Sequence, residues 1–271
     1  MASVADQAGV EVEHIIQDAG SEGNLEWLVS KGHVRLFIEP DAGMYDAINR
    51  GLRRSTGEIC SYLNCDEQYL TGTLAKVARF FVAHPEVDVL FGDIILINSD
   101  GRPLSYRRTV LPTLRHLRLA HLNTATCATF FRRSLLERGF YFDPQWKTIG
   151  DAVWMETLIR HGVSMATLYE PLAVFTFTGR NLGSTEMSRT EALNWKGRPF
   201  GQGVLKKLAV KFWHRIRKAL AGAYRRRRVE IDIFTPASPA QRQHIVKDNL
   251  GFGWPRSATN GTFSTTVIPS D

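Results

Sequence analysis

Short β-branched or aliphatic runs alternate with helix-spaced apolar positions through the first two thirds of the chain. Val10–Gln17 predicts a strand, ended by the turn Asp18-Ala19-Gly20-Ser21. Asn24–Ser30 predicts a short helix and Val34–Glu39 a second strand. Pro40 and Gly43 mark a turn, after which Met44, Ile48 and Leu52, four apart, predict one buried helix face. Ile59–Leu63 reads as a strand, and Thr73–Val82 as a helix with Leu74, Val77, Ala78 and Phe81 on one side. Val87–Phe91 reads as a buried strand ending at Gly92-Asp93. Strands alternating with helices predict an α/β layer fold with a mostly parallel sheet. Ligands in such sheets bind at the carboxyl ends of the strands, where Asp18, Asp66 and Asp93 are expected.

The pattern continues less regularly. His116–Asn123 predicts a helix, and Thr126–Arg133 a strand running into one. Phe142-Asp143-Pro144 makes a turn, and Ile149-Gly150-Asp151 opens a helix carrying Trp154, Leu158 and Ile159. Val163–Tyr169 and Leu172–Phe177 read as strands, and residues 178–184 as a polar loop, suited either to phosphates or simply to solvent. Val204–Tyr224 predicts a helix of two characters. Val204, Leu208, Phe212, Ile216 and Leu220 make one stripe, and Lys206, Lys207, Lys211, His214, Arg217 and Lys218 crowd the other side. Val229–Phe234 reads as a short strand, and the tail beyond Asn249 as rich in Gly, Ser and Thr. The expected division is 1–195 for the α/β domain and 196–271 for the basic helix, strand and tail.

Charge sharpens that division. The net charge is +7, yet residues 196–228 hold twelve Lys or Arg and no acid, leaving 22 bases against 27 acids elsewhere. A mildly acidic core with one basic segment argues against a nucleic-acid-binding core and for one local anionic partner. A basic amphipathic helix edged by Trp213 suits an anionic membrane surface. The alternative is that its apolar stripe packs inward and its charges are solvated. Three cysteines without a pairing or metal-ligand pattern fit a reducing compartment, so the cytoplasm is expected, with a peripheral place on the inner face of the plasma membrane. His14, His33, His84 and His161 fit no ligand spacing; His121 is a candidate acceptor contact.

The candidate chemistry centres on Leu63-Asn64-Cys65-Asp66-Glu67. Alternate residues at a strand end face the same way, so Asn64 and Asp66 can offer oxygens to one hard cation, Mg²⁺ or Mn²⁺, completed by phosphate and water. The same residues are also good turn and cap chemistry. Asp151 has a similar pair of readings, a cap at a helix start or a functional carboxylate.

Taken together, Asp18-Ala19-Gly20-Ser21, the run Glu39-Pro40-Asp41-Ala42-Gly43-Met44-Tyr45-Asp46-Ala47-Ile48-Asn49-Arg50-Gly51, and Leu63-Asn64-Cys65-Asp66-Glu67 resemble the family 2 glycosyltransferases of the GT-A fold, over about Ser3 to Ser184. The resemblance implies a GT-A-like, Rossmann-related sheet and an inverting, metal-assisted transfer of a sugar from a nucleotide-diphosphate donor. The acceptor would be a glycan or lipid-linked, in cell-surface polysaccharide synthesis. Carried over by position, it implies nucleotide-sugar contacts at Asp18, Asp41, Asp46, Asn49 and Asn64, a metal ligand at Asp66 and the catalytic base at Asp151. Asn64 stands where the metal motif has its first acid, and Gly150 where an acid is usual. The family's first strand has no counterpart, so the expected sheet is one strand short and the chain as written is expected to be weakly active or inactive. The alternative function is a non-catalytic remnant that binds a membrane or a partner.

Overall fold

The computed structural model describes residues 1–21, 25–29, 34–179, 181–197 and 204–255. The chain begins with a helical turn α1 (Ala2–Ala5), strand β1 (His14–Asp18), α2 (Glu26–Val29) and β2 (Val34–Ile38). Helix α3 (Met44–Arg54) leads to β3 (Ile59–Cys60), β4 (Glu67–Tyr69), α4 (Thr73–Ala83), β5 (Val89–Ile97) and β6 (Pro103–Arg107). Then come α5 (Leu114–Leu119), a 3-10 turn at Thr126–Ala128, β7 (Thr129–Arg132), α6 (Ser134–Glu137), α7 (Gly150–Arg160) and β8 (Met165–Thr176). Helices α8 (Glu186–Lys196) and α9 (Val204–Leu220) precede a hairpin of β9 (Arg227–Thr235) and β10 (Ser238–Leu250).

The central sheet is built on β5, whose nine residues are all buried. A strand covered on both faces needs a continuous apolar run, and VLFGDIILI supplies one apart from Asp93. The sheet runs β3-β7-β5-β8-β4, with β6 also on β5. It is mixed rather than mostly parallel: β5 is parallel to β8, whereas its pairings with β6 and β7, and those of β3 with β7 and β4 with β8, are antiparallel. The two strands expected at 163–169 and 172–177 are one strand, β8, whose register against β5 shifts beside Asp93. Gly92 allows the close approach of β8, since a Cβ there would sit 2.4 Å from the Leu172 side chain.

Asp93 does not end its strand. It lies inside β5, fully buried, accepting hydrogen bonds from the Tyr106 hydroxyl (2.6 Å), the Thr109 amide (2.8 Å) and Arg108 Nε (3.0 Å). A buried carboxylate needs such partners, and these make it a tie between β5 and both the end of β6 and the segment after it.

Helices α3 and α7 cover one face with Tyr45, Leu52, Trp154, Met155 and Leu158, and α4 covers another region with Val77 and Phe81. The final hairpin adds Val229, Ile231, Ile233 and Leu250 to a third cluster with Ile95, Ile97 and Val174. The end of the tail, 256–271, lies outside the described residues.

Strands β1 and β2 form a separate parallel pair, registered from His14 on Val34 to Asp18 on Ile38. A cleft of about 510 Å³ is lined by His14 and Ile15 of β1, Ile59 and Cys60 of β3, Ile48 of α3 and Val77 of α4. Among the described residues no helix is long and apolar enough to cross a membrane.

Candidate active site

Asp151 lies in the first turn of α7, whose N-cap is Ile149, so it is a first-turn residue rather than the cap. Its Oδ1 accepts from the Ala152 amide (2.8 Å) and from the Tyr45 hydroxyl (3.2 Å). Tyr62, Thr126, Thr129, Phe142 and Trp154 stand around it, in a cavity of about 10 Å³, the size of one water. Burial among these rings pushes the Asp151 carboxyl above the usual carboxylate range, against the hydrogen bonds from Ala152 and Tyr45. The result is a carboxylate held in one rotamer with raised proton affinity.

Three contacts fasten this turn to the motif on α3. The Tyr45 ring, 2 % exposed, stacks on Phe142 at 5.5 Å while its hydroxyl reaches Asp151. The Asn49 amide donates to the Phe142 carbonyl (2.7 Å) and accepts from the Phe142 amide (3.0 Å). Lys147 Nζ donates to the Ala42 carbonyl (2.6 Å) and the Pro144 carbonyl (2.8 Å). Glu191 of α8 secures the approach to α7 by accepting from the Lys147 and Thr148 amides and the Thr148 hydroxyl. Sequence reasoning did not single out Tyr45, Tyr62, Lys147 or Glu191 for the site. Tyr45 had a signal, since it sits within the long motif without belonging to its Met44-Ile48-Leu52 stripe.

Asn49, expected as a nucleotide contact, turns its amide to the Phe142 peptide. It is 1 % exposed, and both ends of its amide serve the Phe142 peptide. Asp41 and Asp46 shape the turn into α3: Asp41 accepts from the Gly43 amide (2.8 Å), and Asp46 from the Ala42 amide (3.0 Å) and Arg50 (3.1 Å). Both are partly exposed carboxylates beside the Lys147 latch. Asp18 sits at the end of β1, partly exposed, with its oxygens accepting from the Gly20 and Ser21 amides and the Ser21 hydroxyl. Those bonds hold its carboxyl below the usual range.

Asn64 and Asp66 lie on the turn entering β4. The Asn64 carbonyl accepts from the Glu67 amide (3.1 Å), and the Asn64 amide donates to Glu67 Oε2 (2.9 Å). The Asp66 side chain is exposed and takes no hydrogen bond or ion pair among the described residues. Glu67 is the opposite case: it is 5 % exposed, its Oε1 is buried without a hydrogen-bond partner, and burial pushes its carboxyl up to about 7. Among the described residues no three His, Cys, Asp or Glu side chains cluster as a closed metal site. A neutral amide oxygen and one unpaired carboxylate suit a cation that takes most of its ligands from phosphate and water.

The 3-10 turn at Thr126–Ala128 touches both carboxylate regions. Thr126 lines the Asp151 cavity, and the buried Cys127 thiol beside it interacts with Glu67. Asp66 itself does not line that cavity. The His121 ring packs edge-on against the His116 ring, at 4.9 Å. The residue Arg180 of the polar loop lies outside the described residues.

A family profile, Glycosyl transferase family 2, matches residues 1–140, just over half of the chain. The chain belongs to glycosyl transferase family 2. PGL/p-HBAD biosynthesis glycosyltransferases of Mycobacterium bovis and Mycobacterium tuberculosis are 39 % identical to this family member over 71 residues, 25 % of this chain and 28 % of theirs. An uncharacterized glycosyltransferase of Nostoc sp. is 24 % identical over 207 residues, covering 69 % of this chain and 62 % of that protein. In both cases the match spans less than two thirds of the relative. Among solved structures, S. aureus TarS 1–349 in complex with UDP-GlcNAc superposes with a TM-score of 0.54 at 18 % identity, over 77 % of this chain and 63 % of that one. The mannosyltransferase PcManGT from Pyrobaculum calidifontis, in complex with GDP-Man and Mn²⁺, gives 0.52 at 18 % identity, over 82 % and 67 %. At such identity the two share the GT-A fold with this family 2 chain.

Proposed function

We infer that this chain carries the catalytic domain of an inverting glycosyltransferase, moving a sugar from a nucleotide-diphosphate donor to a hydroxyl of a glycan or lipid-linked acceptor. The observation that carries the reading is Asp151, a partly buried carboxylate of raised proton affinity, fixed by Tyr45 and joined through the Thr126–Ala128 turn to the Asn64–Asp66 turn. A sugar hydroxyl is a poor nucleophile at neutral pH, and a carboxylate within hydrogen-bond reach can take its proton as the oxygen attacks. The new bond forms to the anomeric carbon, while the old bond to the diphosphate oxygen breaks and the nucleoside diphosphate leaves with the electron pair. Asp66, helped by Asn64, would hold Mg²⁺ or Mn²⁺, which supplies charge stabilisation to the leaving diphosphate. Asp18, at the end of β1, is the nucleoside contact in this reading, with Asp41 and Asp46 shaping the neighbouring wall. One base and one leaving group on opposite sides of the sugar give a single displacement with inversion.

The proposed setting is cell-surface polysaccharide synthesis, on the cytoplasmic side and against the inner face of the membrane. The mannosyltransferase neighbour with bound GDP-Man and Mn²⁺ supports the donor class and the metal.

A second reading, a non-catalytic remnant that binds a membrane or partner, is favoured by the exposed apolar side chains of α9. Donor cleavage separates the two. A panel of nucleotide sugars with Mn²⁺ should show one donor cleaved, and Asp66→Ala should abolish the metal dependence. Absence of cleavage for every donor, with intact folding, would favour the remnant.

A further inference from the structure

Helix α9 sits on the protein by the wrong side for an ordinary amphipathic helix. Its His214, 8 % exposed, stacks on His116 of α5 with ring centroids 3.6 Å apart. Arg217 donates to the Leu111 carbonyl (2.8 Å), and Arg108 donates to the Ala221 carbonyl just past the helix (2.9 Å). The polar side of α9 therefore faces inward. At about 100° per residue, the opposite half of the helix carries Val204, Leu205, Leu208, Phe212, Trp213 and Leu220. These six are each between 56 and 83 % exposed.

A contiguous apolar ridge along a helix of about 25 Å is unusual on a free surface. Its borders are cationic: Lys206, Lys211 and Arg215 are exposed beside it, and Arg225, Arg226 and Arg228 are exposed beyond its end. No acid occurs between residues 196 and 228. A second copy packing face to face would set these like charges against themselves, which disfavours a symmetric dimer. An anionic bilayer satisfies both features, because the ridge enters the acyl boundary while the flanking cations meet headgroup phosphates.

We propose that α9 docks this protein on an anionic lipid surface through the Val204–Leu220 ridge, with Lys206, Lys211 and Arg215 reading the lipid charge. This deepens the membrane part of the function proposed above, but it rests on the helix alone. The test is co-sedimentation of the whole chain with vesicles of phosphatidylcholine, with and without phosphatidylglycerol, in the absence of donor and acceptor. The outcome is thus independent of glycosyl transfer.

Binding should be at least tenfold stronger with phosphatidylglycerol and should weaken as salt rises. Phe212→Ser with Trp213→Ser, both at exposed positions, should lower vesicle binding about tenfold with an unchanged thermal melt. Lys206→Glu, Lys211→Glu and Arg215→Glu together should remove the preference for anionic lipid. Equal binding to both vesicle types, or none to either, would overturn the proposal. So would a dimer in size-exclusion chromatography that the Phe212→Ser, Trp213→Ser variant converts to monomer, since a second copy would then own the ridge.

Discussion

The Tyr45 hydroxyl lies 3.2 Å from Asp151 Oδ1, linking two stretches 106 residues apart. That hydrogen bond favours the charged carboxylate, in opposition to the burial that raises its proton affinity. Tyr45→Phe keeps the ring stacked on Phe142 and removes only the donor. The Asp151 carboxyl should then titrate at higher pH, and the acid limb of the kcat/KM profile should move upward with it. A profile unchanged in Tyr45→Phe would mean that Asp151 does not set that limb.

Gly150 leaves no room for a side chain, because a Cβ there would stand 2.6 Å from Tyr45 Cδ2. This gives a physical reason for glycine at a position where the family resemblance leads one to expect an acid. Gly150→Ala should displace a buried, stacked ring and cost about 1–3 kcal/mol, as overpacking does. Thermal unfolding would show it as a lowered Tm, with activity reduced in parallel as Tyr45 leaves Asp151.

Asn49→Ala should leave the Phe142 amide and carbonyl without their side-chain partners in a buried site. The expected loss is about 2–3 kcal/mol, near the upper end for an unmade buried hydrogen bond. Denaturant unfolding measures it. Donor KM in the surviving folded protein should stay close to that of the parent, which separates a positioning residue from a nucleotide ligand.

The His116–His214 stack should make the protein acid-sensitive. Burial is the main cause that lowers these imidazoles, to about 4 and about 3, with His121, Arg217 and Lys218 adding positive charge nearby. Folded values below the unfolded value mean that the folded state binds fewer protons in between. The contribution is therefore complete above about pH 6.5 and is lost as pH falls toward 3. His214→Phe should flatten this part of the stability profile, read as Tm against pH. A His214→Phe profile as steep as the parent's would place the acid sensitivity elsewhere.

The legible parts of the sequence were those where local pattern and tertiary demand agree. Met44, Ile48 and Leu52 predict the helix that forms at Met44–Arg54, and the apolar run from Val87 predicts the central strand. Asp93 misleads because a carboxylate in an apolar run reads as a boundary; its partners Tyr106, Arg108 and Thr109 come from the segment beyond the next turn. Strand β10 was missed because Ser238–Leu250 is mostly polar and half-exposed, gaining its register only from β9. The motif residues were visible as a group, but not their division of labour. Asn49 and Tyr45 turn inward to hold the Asp151 turn, which only the position of Phe142 reveals. Helix α9 was expected from its periodicity, whereas which side meets the protein depended on His116, a residue of a distant element.

The most direct test is the rate of donor-to-acceptor transfer by Asp151→Asn, measured across pH with the parent and Asp66→Ala alongside. Asparagine keeps the side-chain shape but cannot take the proton, so transfer should fall about 10²–10⁴-fold while donor binding persists. Turnover by Asp151→Asn equal to the parent's at every pH would contradict the assignment of Asp151 as the base.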